Sequence, residues 1–97
     1  VEAATFADYI AVGIPRNRVK AWRNVAATGG AFLAVEDAAI TDAIGSAARL
    51  AGVFAEPSGA AGLAGVTAAL EAGLISPSGR VAVMVTGHGL KDPMAGL

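Results

Sequence analysis

The residues best placed to do chemistry form a short run near the end of the sequence, Thr86-Gly87-His88-Gly89. They directly follow residues 81–85, an apolar run that predicts a buried strand. In open parallel sheets, ligands gather beyond the carboxyl ends of the strands. A hydroxyl at such a point, followed by glycines that admit close backbone approach, suits a planar cofactor or an anion. A strand-end turn with a structural threonine fits the same residues, and spacing alone does not separate the two. The run is not a Walker loop, because the spacing and the Gly-Lys-Ser/Thr ending are absent.

A second group is Glu56-Pro57-Ser58-Gly59-Ala60-Ala61. It places a carboxylate and a hydroxyl where a helix begins, on a face almost stripped of side chains. Either the helix packs tightly on a sheet or its start lies against a ligand. A third group, Arg16, Arg18, Lys20 and Arg23, gathers most of the positive charge. It reads as a solvated helix face, an acidic-partner contact or a phosphate contact, and is weak as a nucleic-acid footprint. His88 is a candidate general base or phosphate ligand, or a polar turn residue. Asp8 sits among small and apolar residues, where a buried carboxylate would need hydrogen-bond partners.

The elements that must position these groups are legible in the pattern. The opening residues read as a loop or extended segment, with a strand in 10–14 as one option. Asn17 suits a helix N-cap, and Val19, Trp22, Val25 and Ala26 give the following helix (18 to about 28) one apolar face. Gly29 and Gly30 end it. Residues 31–35 lack polar side chains, as expected of a strand covered on both faces. Asp37 can cap the next helix, with Ile40, Ala43, Ile44, Ala47 and Leu50 on its apolar face and Gly52 closing it. Residues 53–55 predict a short strand. Pro57 suits the first turn of a helix that runs to about Ala72, with Gly73 past its end. Glycines inside that helix cost roughly 1 kcal/mol each relative to alanine, so something should approach closely enough to offset them. Residues 77–79 form a turn. Strands alternating with helices predict an α/β fold, a mostly parallel sheet with helices on its faces.

Composition narrows the classes. Ninety-seven residues with 55% hydrophobic and only 5% aromatic content suit a buried layer of a larger protein better than a free-standing domain. Val1 in place of an initiating methionine fits the same expectation. A net charge of −1 offers no global attraction to nucleic acid or an anionic membrane. With no cysteine and one histidine, a disulfide framework and a thiol nucleophile are excluded, and no metal site is expected. The sequence shows no signal peptide, and its longest apolar stretch is too short to span a bilayer.

Three blocks carry a family resemblance. Thr5-Phe6-Ala7-Asp8-Tyr9-Ile10-Ala11-Val12-Gly13-Ile14-Pro15-Arg16-Asn17 is similar to the ADSI-x-VG-x-PRN stretch of threonine synthases. Phe54-Ala55-Glu56-Pro57-Ser58-Gly59-Ala60-Ala61 resembles the FAEP helix start of that family, a block shared with serine and threonine dehydratases. Thr86-Gly87-His88-Gly89-Leu90-Lys91-Asp92-Pro93 resembles its C-terminal TG-(N/H)-GLKDP, the more specific of the three. The blocks come in the family's order and cover nearly the whole chain.

The resemblance implies a tryptophan-synthase-β-like, fold type II enzyme that uses pyridoxal 5'-phosphate (PLP), a cytoplasmic homodimer. Residues 1–97 would then be the C-terminal part of its large PLP-binding domain. The implied reaction converts O-phospho-L-homoserine and water to L-threonine and phosphate. Thr86 matches the family's hydroxyl partner of the pyridine nitrogen; Gly87 and Gly89 would let the loop pass the ring; Glu56 and Ser58 would lie near the ring or the substrate side. The family's Schiff-base lysine and phosphate-cradling loop lie in blocks not recognisable here. Lys20 and Lys91, the only lysines, lie outside that context, so no catalytic residue is assigned and the chain taken alone is expected to be inactive. The alternatives are a dehydratase-like PLP lyase and, from another class, a non-catalytic α/β interaction module.

Overall fold

A computed structural model describes residues 3–96. Three helices dominate it: α1 (Arg18–Ala27), α2 (Asp37–Ala51) and α3 (Pro57–Glu71). Short 3-10 turns occupy Asp8–Ile10, Gly89–Lys91 and Pro93–Gly96.

The helix stops follow from glycine. Gly29, Gly52 and Gly73 all take positive φ (69°, 67° and 70°), where a Cβ would crowd the backbone. Beyond α1, Gly30 N–H donates to Val25 O (2.8 Å) and Gly29 N–H to Ala26 O (3.2 Å). Beyond α3, Leu74 N–H donates to Ala69 O (2.9 Å) and Gly73 N–H to Leu70 O (3.1 Å). Each pair satisfies carbonyls that the helix end leaves open.

The helix starts are less simple. Asn17 and Pro57 occupy the N-cap and first-turn positions expected of them, but the Asn17 side chain makes no capping bond. Asp37 is not the cap of α2; Glu36 stands there, and Asp37 is the first helical residue. The Asp37 carboxylate is drawn instead to the N-terminal segment, where it accepts from the Thr5 hydroxyl and from Phe6 N–H (3.1 Å). A long-range tie has displaced a local one.

The core is the α2–α3 contact, with the N-terminal segment laid over it. Ile40, Ala43, Ile44, Ala55, Ala60 and Ala64 are buried together, joined by Ala7. Apart from Ile40 and Ile44 this buried set is alanine, so the core is thin. Leu50, expected on the apolar face of α2, is 85% exposed. The apolar face expected of α1 is likewise uncovered: the helix buries no residue, and Trp22 is 64% exposed.

The expected parallel sheet is not formed among the described residues. Residues 10–14, 31–35, 53–55 and 81–85 make no strand, and the one β-type pairing is an isolated antiparallel bridge between Ala55 and His88. A strand exists only through a ladder to a neighbouring backbone. Here 31–35 and 81–85 border one hollow of about 820 Å³ beside α2 and α3, lined by Val35, Ala43, Ala47, Leu63, Val83 and Val85. They line it without pairing. Phe32, Leu33, Val81 and Met84 consequently remain exposed.

Candidate functional site

The start of α3 and the Thr86 run, distant in sequence, are built into one structure. Residues 54–56 and 87–89 meet antiparallel: Glu56 N–H donates to Gly87 O (3.0 Å) and Gly89 N–H to Phe54 O (2.8 Å). The bridge between Ala55 and His88 lies between these two bonds. Two backbone bonds therefore fix the register of the run against the helix start.

The glycines are what make this docking possible. A Cβ on Gly87 would meet the Glu56 side chain at 1.6 Å, and one on Gly89 would meet the Phe54 ring at 2.2 Å. A Cβ on Gly59, in the first turn of α3, would lie 3.0 Å from Gly87 N and 3.1 Å from Gly87 O. Gly62 faces Val83 at 3.4 Å, whereas nothing lies within 4 Å of Gly65. The helix-propensity cost of glycine is thus matched by close approach at Gly59 and Gly62 and not at Gly65.

Two buried polar groups lie at the start of α3. Glu56 is only 4% exposed, and its Oε2 meets no donor among the described residues. Ser58 Oγ is likewise buried and without a partner there. Burying an unpaired polar oxygen is unfavourable, so two in one helix start are unusual. Thr86, Gly87, Gly89, Glu56 and Ser58, all singled out from sequence, are therefore gathered around one junction, with Thr86 exposed at its edge.

The other candidates separate from it. His88 Nδ1 accepts from Leu90 N–H (3.0 Å), and its ring meets Phe54 edge-on at 5.6 Å. That geometry is a turn-capping role. Asp8 is exposed at the start of its 3-10 turn. Arg16, Arg18, Lys20 and Arg23 are exposed, and Arg18 donates to Pro15 O (3.2 Å). Lys91 lies over the Tyr9 ring, 5.3 Å from its centroid. No cluster of potential metal ligands occurs among the described residues, and no described helix is long and apolar enough to cross a membrane. Phe54 packs on Gly89 at the same junction; a phenylalanine before a helix gives no sign in the sequence that it will meet a glycine far along the chain.

Comparison with known proteins adds an independent line. A family model described as "Pyridoxal-phosphate dependent enzyme" matches residues 1–87. The threonine synthase of Methanocaldococcus jannaschii is 41% identical over 93 residues, 96% of this chain and 23% of that protein. The threonine synthase of Mycobacterium tuberculosis is 39% identical over 89 residues, 92% of this chain and 25% of that protein. The threonine synthase of Synechocystis is 41% identical over 90 residues, 92% of this chain and 23% of that protein. The chain spans about a quarter of the length of these relatives.

Proposed function

The chain belongs to the family of pyridoxal-phosphate-dependent enzymes, and from that premise we propose that it is the C-terminal part of a threonine synthase. The reaction is the conversion of O-phospho-L-homoserine and water to L-threonine and phosphate. The observation that carries this reading is the docking of the α3 start on residues 86–89, made possible by the missing Cβ atoms of Gly59, Gly87 and Gly89, with Thr86 left open to solvent.

The residues present fit the cofactor. Gly87 and Gly89 are buried against Glu56 and Phe54, so their lack of side chains lets the run dock on the start of α3 and leaves Thr86 at the open edge, where a flat ring would meet it. Thr86 would hold the ring nitrogen with a neutral hydroxyl, which would donate to it without keeping it protonated as a carboxylate would. Glu56 and Ser58 form the floor beneath the run. When bound, PLP supplies the electron sink for charge developing on the amino-acid substrate. The chain's own share is to orient the ring and to set the electronics of its nitrogen.

The group that anchors PLP covalently belongs, in this reading, to a part of the enzyme outside these residues, and the chain alone is inactive. The same reading explains the exposed apolar residues of 31–35 and 81–85. Within the whole enzyme they join a mostly parallel sheet that also fills the hollow beside α2 and α3. A cytoplasmic homodimer is part of the proposal.

The test uses the full-length protein. Addition of PLP should produce the visible absorbance of bound cofactor, and O-phospho-L-homoserine should then release inorganic phosphate. Deamination of threonine with no phosphate release would assign it to the dehydratases instead. A protein that binds no PLP would remove the reading altogether.

A further inference from the structure

Glu56 stands apart from the other polar residues of the chain. Its carboxylate is buried, and one of its oxygens has no donor among the described residues. A carboxylate in that position is unfavourable for stability, and an apolar side chain of the same length would fill the space without that cost. Its backbone and its side chain both face the same residue: Glu56 N–H holds Gly87 O, and the carboxylate lies against Gly87 Cα. All three of the atoms nearest to a Cβ placed on Gly87 are Glu56 Oε1, Cδ and Cγ, at 1.6, 2.3 and 2.7 Å.

We propose that Glu56 is a positioning residue, a spacer whose buried side chain sets how far the Gly87 backbone stands from α3 and so places Thr86 at the cofactor. The inference rests on the reading of residues 86–89 as the ring-nitrogen side of a PLP site. The backbone bonds fix the register of residues 54–56 against 87–89 but leave the run free to tilt about them. The Glu56 side chain removes that freedom, because it occupies the space into which Gly87 would settle. Thr86 is the next residue along the chain, so a tilt at Gly87 moves its hydroxyl directly. A glycine at 87 and a long side chain at 56 are then one device: the first leaves the space and the second fills it.

The device makes a compensation prediction. Glu56→Gln keeps the shape and should leave PLP affinity within about twofold of the parent, a change of under about half a kcal/mol. Glu56→Ala removes all three contacting atoms, lets the run settle, and should weaken PLP binding about tenfold. Gly87→Ala should weaken it at least as much, because its methyl has no room. In the Glu56→Ala/Gly87→Ala protein, the new methyl enters the vacated space, and affinity should recover to better than either single change.

The experiment is a PLP titration of the full-length parent and the four variants, followed by cofactor absorbance and fluorescence, with urea unfolding of the cofactor-free forms run alongside. A residue that only stabilised the fold would shift the unfolding midpoint without altering the emission of bound cofactor; the spacer should alter that emission in Glu56→Ala and restore it in the double variant. Additive losses in the double variant, or an unaltered Glu56→Ala titration, overturn the proposal. A parent protein that binds no PLP overturns the cofactor-site reading itself, which keeps the two failures distinct.

Discussion

Alanine at Gly59 and alanine at Gly65 are the same change in the same helix, and the structure assigns them different outcomes. Replacing an interior helical glycine by alanine stabilises a helix by about 1 kcal/mol, through the backbone freedom lost from the unfolded chain. At Gly65 nothing lies within 4 Å of the new methyl, so the whole of that gain should appear. At Gly59 the methyl would lie 3.0 Å from Gly87 N, 3.1 Å from Gly87 O and 3.4 Å from Thr86 N. These are backbone atoms, and Gly87 O is held by Glu56 N–H at 3.0 Å, so no rotamer change relieves the contact. Overpacking of this kind costs about 1–3 kcal/mol. Set against the propensity gain, Gly59→Ala should be destabilised by about 0–2 kcal/mol, and the two variants should differ by about 1–3 kcal/mol. Urea unfolding of the cofactor-free proteins, analysed with a common slope, measures that difference. A Gly59→Ala protein as stable as Gly65→Ala would refute the argument, since it would mean that α3 does not press on residues 86–87.

Three further outcomes follow from other contacts. Thr86→Val keeps the branched shape but removes the hydroxyl, so it should weaken PLP binding by about 1 kcal/mol, the worth of one neutral hydrogen bond, with an unfolding midpoint close to the parent's. Gly89→Ala drives a methyl into the Phe54 ring at 2.2 Å and should cost about 1–3 kcal/mol; in a Phe54→Ala background most of that cost should vanish, a coupling that a double-mutant cycle reads directly. Asp37→Ala removes the acceptor of both Thr5 Oγ and Phe6 N–H and should destabilise by about 1–2 kcal/mol, with faster amide exchange at Phe6 as the local signature.

Helices, their glycine stops and the candidate residues were legible in the sequence because each depends on near neighbours. The period of Ile40, Ala43, Ile44 and Ala47 specifies a face, and that face is the one buried. Positive φ at Gly29, Gly52 and Gly73 meets a requirement local to each helix end. The Thr86 and Glu56 runs stand out by composition, and their likeness to threonine synthases reaches the family through residue order alone.

Pairing is a different kind of fact. An apolar run such as 81–85 states that its side chains favour burial; it does not state which backbone will supply the ladder, and among the described residues none does. The same holds for Leu50 and Trp22, whose periodicity predicts a buried face that these residues leave open. Only the tertiary structure could bring Glu56 against Gly87 and Phe54 against Gly89, or divert Asp37 from its helix to Thr5. Sequence determined which residues are able to make the site, because that ability lies in each side chain. The fold decided which of them meet, because contact between residues far apart in the chain depends on how the whole backbone closes on itself.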